Sequence, residues 1–60
     1  MSKKSVLVIE DSAYLAESLK DMLNIKDFEA IIAPNGREGV VLATEHHPDL
    51  ILLDIRLPDI

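Results

Sequence analysis

No cysteine occurs in the 60 residues. That excludes a disulfide framework and a thiolate zinc site. The lack fits a reducing compartment, so a cytoplasmic location is the expectation. No apolar run approaches the roughly 20 residues that a membrane-spanning helix needs. The leading Met1-Ser2-Lys3-Lys4 is soon followed by four consecutive apolar residues, Val6 to Ile9, too few for the apolar segment of a secretory signal. Positive charge is scarce: six Lys and Arg stand against eleven Asp and Glu, for a net charge of −5. An acidic chain repels phosphate backbones, so direct nucleic-acid contact is not expected, and neither is a membrane. Divalent cations suit this balance better. A glycine-rich phosphate turn is also missing. The residues after the first apolar run are Glu10-Asp11-Ser12-Ala13, which lack the G-x-G-x-x-G pattern of a dinucleotide-binding enzyme and would repel a pyrophosphate.

What is present argues for a folded chain. Hydrophobic residues make up 48%, too many for disorder. Sixty residues allow at most one small domain, one that buries only ~60% of the surface its unfolded form exposes. Val6-Leu7-Val8-Ile9 is short, β-branched and apolar throughout, as expected of a strand buried on both faces. In the segment 11–25, Leu15, Leu19, Met22 and Leu23 recur at helical spacing and predict an inward stripe, with Asp11 or Ser12 as the cap. A second strand is predicted over Phe28 to Ala33, stopped by Pro34-Asn35-Gly36. Asn35 followed by Glu38 resembles a capping box and opens a second helix from Gly36 to His46. In that helix Val40 and Ala43 are expected to face inward, Leu42 is less decided, and Gly39 is a weak point costing up to ~1 kcal/mol against alanine. Pro48-Asp49 breaks the chain before a third strand, Leu50 to Leu53. His46-His47 reads as a solvated pair at a helix C-terminus, where positive charge is favoured.

The order β-α-β-α-β implies an α/β fold with a parallel sheet and right-handed crossovers. No further element follows to cover the third strand. Residues 1–60 are therefore expected to be the first part of a larger doubly wound domain. In a parallel sheet all strand C-termini share one edge, and neighbouring strands lie ~4.8 Å apart. A strand order of 2-1-3, borrowed from known doubly wound sheets rather than derived from spacing, would bring Glu10 and Asp11 beside Asp54. Ligands of such sheets bind at that edge, where the strand order reverses. Three close carboxylates repel one another, and a magnesium ion with oxygen ligands relieves the conflict. Asp54, behind the apolar wall of strand three, is then the best-placed nucleophile toward a phosphoryl group.

Three segments together, Val6-Leu7-Val8-Ile9-Glu10-Asp11-Ser12, Ala33-Pro34-Asn35-Gly36-Arg37-Glu38-Gly39-Val40 and Pro48-Asp49-Leu50-Ile51-Leu52-Leu53-Asp54-Ile55-Arg56-Leu57-Pro58-Asp59, resemble the response regulator receiver domain of two-component phosphorelays. The resemblance spans nearly the whole chain and corresponds to the N-terminal half of such a domain. It implies a flavodoxin-like sheet, with Asp54 as phosphoacceptor and Glu10 and Asp11 as the metal pair. Asp11 would be the more direct ligand, and the backbone carbonyl of Arg56 the remaining protein ligand for Mg2+. It also implies a histidine kinase or phosphotransfer protein, or a small acyl phosphate, as phosphoryl donor. On that reading the chain is a signalling domain rather than an enzyme, with self-catalysed phosphorylation and dephosphorylation in the complete domain.

Two other functions are compatible with parts of the pattern. A magnesium-dependent phosphohydrolase with an aspartyl nucleophile commonly carries a second Asp two positions on. Here that position is Arg56, which counts against it. A structural fragment that self-associates as a homodimer or higher oligomer through its bare third strand is the other.

Overall fold

The computed structural model of the chain describes residues 3–53. Residues 1–2 and 54–60, including Asp54 and Arg56, lie outside the described residues. The elements follow in the order β1 (Ser5–Ile9), α1 (Ala13–Ile25), β2 (Glu29–Ala33), α2 (Gly36–His46) and β3 (Leu50–Leu53). The three strands form one parallel sheet in the order β2-β1-β3. The expected α/β architecture, strand order and incomplete flavodoxin-like sheet are all borne out.

β1 is the central strand, and its composition explains why. Val6, Leu7 and Val8 are almost wholly buried, which contributes roughly 1.5–3 kcal/mol for each side chain removed from water. Alternation splits the core in two. Val6 and Val8 face Leu23 of α1, with Leu19, Phe28, Ala30, Ile32 and Leu52 packed around them. Leu7 and Ile9 join Ala33 on the other face, where Ile31, Leu42 and Ala43 complete the cluster.

Local chemistry sets the helix ends. Ser12 caps α1, its hydroxyl accepting from Leu15 N–H at 3.3 Å. Asn35 caps α2, its side chain accepting from Glu38 N–H at 2.8 Å. α1 closes in a Schellman motif: Phe28 N–H donates to Leu23 O at 2.9 Å and Asp27 N–H to Asn24 O at 3.0 Å. Leu23 and Phe28 supply its accompanying apolar contact. The left-handed position, usually glycine, is held by Asp27 at φ 68°. α2 ends at His47, also left-handed at φ 49°, and Pro48 prevents its continuation.

Three sequence expectations are corrected. Val40 does not face inward; it is 66% exposed. Gly36 and Gly39 are the buried residues of α2, and Leu42 and Ala43 pack on the core. A small-residue face thus lets the helix approach β1 closely. A Cβ on Gly39 would collide with Cδ1 of Ile9 and lie 2.9 Å from its Cγ1. Gly39 is therefore a packing requirement rather than a mere weak point. In α1 the inward stripe runs through Ala16, Leu19 and Leu23, while Leu15 and Met22 stay about half exposed.

Helices cover only part of the sheet. Among the described residues α1 and α2 pack along β1 and β2, and β3 joins the core mainly through Leu52. Leu50, Ile51 and Leu53 are each about half exposed. β3 is tied to β1 at its start instead. Ser5 N–H donates to Asp49 Oδ2 at 2.7 Å, and Asp49 N–H donates to Ser5 O at 2.9 Å.

Candidate functional site

The carboxyl edge of the sheet is where polar chemistry collects. Hydrogen bonding along β1 continues one residue past the strand, because Glu10 N–H donates to Ala33 O at 3.0 Å. The chain then turns at Asp11 and enters α1 at Ser12. Glu10 is buried, at 7% exposure, whereas Asp11 is exposed. Glu10 Oε2 accepts from Ser12 N–H at 3.1 Å. A carboxylate removed from water needs such a donor, and the amide ends of α1 favour negative charge here.

The register sets which strand ends stand level with one another. Ile9 of β1 is opposite Leu53 of β3, so the two strands end at the same level. Glu10 follows Ile9, and Asp54 follows Leu53. The capped N-terminus of α2 follows β2 at the same edge, since Ala33 is opposite Ile9 in the other direction. Both helices therefore start at this carboxyl edge, and the acidic pair that ends β1 stands at its mouth, where strand order reverses.

Of the expected site residues, Glu10 and Asp11 are adjacent at this mouth, one turned inward and one outward. Asp54 and the Arg56 carbonyl lie outside the described residues. Among the described residues no three His, Cys, Asp or Glu side chains group as a metal site. The oxygen donors that Glu10 and Asp11 do provide fit a hard cation such as Mg2+. His46 and His47 are exposed at the far end of α2, as a solvated pair would be. Two features escaped the sequence reading: the link from Glu10 to the Ser12 amide and the Gly39 contact with Ile9. A glutamate two residues before a serine cap is the only signal of the first, and Gly39 inside a helix is the signal of the second.

A parallel β2-β1-β3 sheet with an acidic pair at its switch point defines a flavodoxin-like α/β domain. Comparison with known proteins narrows the class. Residues 6–60 match the response regulator receiver domain family, and the chain belongs to that family, a module of two-component signalling. Polar-differentiation response regulators DivK of Brucella ovis and Brucella anthropi are each 42% identical to it over 57 residues. Those matches cover 95% of this chain and 46% of each relative, so the chain spans about half the length of the curated relatives it matches. A solved response regulator receiver domain protein from Clostridium thermocellum superposes with a TM-score of 0.90 at 27% identity, covering 95% of this chain and 47% of that one. Among the described residues no helix is long and apolar enough to cross a membrane.

Proposed function

We propose that residues 1–60 supply the N-terminal half of a receiver domain in a cytoplasmic phosphorelay, with Asp54 as its phosphoacceptor. The reading is supported above all by the register of β1 and β3. Ile9 and Leu53 are paired, and the acidic pair and Asp54 are the next residues along their chains. Asp11 is the direct carboxylate ligand for Mg2+, Glu10 completes the acidic pair, and Asp54 and the Arg56 carbonyl supply the remaining protein oxygens. A bound magnesium ion supplies neutralisation of charge on the phosphoryl oxygens. A carboxylate oxygen of Asp54 bonds to phosphorus as the P–N bond of a donor phosphohistidine breaks, and the electron pair stays on the imidazole nitrogen. With a small acyl phosphate the P–O bond breaks and a carboxylate leaves. The donor in the cell is a histidine kinase or phosphotransfer protein.

Radiolabelled acyl phosphate tests this in the presence of magnesium. Label should enter the protein and be lost on hydroxylamine treatment, as an acyl phosphate requires. Asp54→Asn should abolish it. Label retained by that variant would refute the assignment.

A second reading rests on β3. Among the described residues neither helix packs along it, Leu50, Ile51 and Leu53 are about half exposed, and exposed apolar edges pair with other chains. Self-association into a homodimer should appear in size-exclusion chromatography with light scattering and weaken in Ile51→Lys. A monomer at all concentrations would reject it.

A further inference from the structure

We infer that Glu10 is a positioning residue, whose carboxylate clamps the turn that presents Asp11. Two of the hydrogen bonds at Glu10 bear on this turn. Its backbone N–H donates to Ala33 O at 3.0 Å, anchoring it to the end of β2. Its Oε2 accepts from Ser12 N–H at 3.1 Å, anchoring it to the cap of α1. Between these anchors only Asp11 remains, and Asp11 is exposed while Glu10 is buried. Ser12 is itself fixed by its role as cap, with extended dihedrals of φ −82° and ψ 114° and its hydroxyl bonded to Leu15 N–H. Strand, turn and helix thus meet at one residue, its backbone tied to the strand and its carboxylate to the helix cap. The adjacent acids divide the work: the inner one shapes the loop, and the outer one meets the ligand.

This inference rests on the metal reading above for its consequence, but not for the clamp itself. A neutral amide oxygen can accept from Ser12 N–H as a carboxylate does, so Glu10→Gln preserves the clamp while removing the charge, and Glu10→Ala removes both. In metal-free protein, hydrogen exchange of the Ser12 amide should stay near wild type in Glu10→Gln. It should accelerate about fivefold to tenfold in Glu10→Ala, the loss expected for one net hydrogen bond. Manganese affinity should then be higher in Glu10→Gln than in Glu10→Ala by a similar factor, with both variants folded by circular dichroism. Equal affinities in the two variants would show that Glu10 acts only by its charge and would overturn the inference. An unchanged Ser12 amide in Glu10→Ala would overturn it as well. If wild-type protein binds no manganese, the metal reading fails, and the Ser12 exchange alone decides the clamp.

Discussion

Replacing Gly39 by alanine separates helix propensity from packing. In an exposed helix interior this change stabilises by about 1 kcal/mol. Here the added methyl meets Ile9, whose Cγ1 lies 2.9 Å from the ideal Cβ position. Ile9 is buried, at 7% exposure, and packed among Leu7, Ala33, Leu42 and Ala43. Overpacking of this kind costs typically 1–3 kcal/mol. The net expectation is destabilisation by about 1 kcal/mol. A chain of this length has a total stability near 3 kcal/mol at the lower common value per residue. Urea unfolding followed by circular dichroism, with a slope near 1 kcal/mol per molar, should show the midpoint fall by about 1 M. Ile9→Val removes the Cδ1 atom and alone should cost about 1 kcal/mol. The double variant should be more stable than the two losses summed, by about 1 kcal/mol, because the residues touch. A Gly39→Ala protein more stable than wild type, or strict additivity, would refute the close approach of α2 to β1.

Other outcomes follow from single contacts. Asp27→Gly should stabilise by up to about 1 kcal/mol, since glycine takes the left-handed Schellman position without strain; a lower urea midpoint would contradict it. Val40→Lys should leave the midpoint within about 0.5 kcal/mol of wild type, because that side chain lies on the surface; a larger loss would restore the inward orientation. Asp49→Ala should weaken the union of β1 and β3 by about 1 kcal/mol and speed exchange of the Ser5 amide, which donates to Asp49. No change at Ser5 would show that the bond is absent in solution.

Much of the fold is legible in residue order. Apolar runs broken by acidic pairs and Pro-Asn-Gly gave strands and helices close to those observed, since β-branched runs and caps are local signals. α2 was predicted over its observed span, and Ser12 was one of the two expected caps of α1. Which helix faces turn inward was less legible. Val40 is a stronger apolar signal than Gly36 or Gly39, but a small-residue face packs closer to β1, and hydrophobicity alone carries no record of that distance. In α1, likewise, the small Ala16 is buried while Leu15 and Met22 are about half exposed. The Schellman ending of α1 was hidden because Asp27 occupies the place where glycine would announce it. At the site, Glu10 and Asp11 were legible as an acidic pair, yet their opposite exposures depend on Ala33 and Ser12, which lie on different elements. Asp54 enters through its place in the sequence after Leu53 and through the family resemblance.

Paramagnetic broadening by manganese probes the proposed cation site most directly. In amide-resolved NMR, trace manganese should broaden Glu10, Asp11 and Ser12 together with Leu53, the end of the paired strand, and Asp54, the next residue in sequence. Asp11→Asn should abolish the effect, and Asp54→Asn should weaken it. Broadening centred on His46 and His47, or broadening that survives Asp11→Asn, would contradict a cation held between β1 and β3.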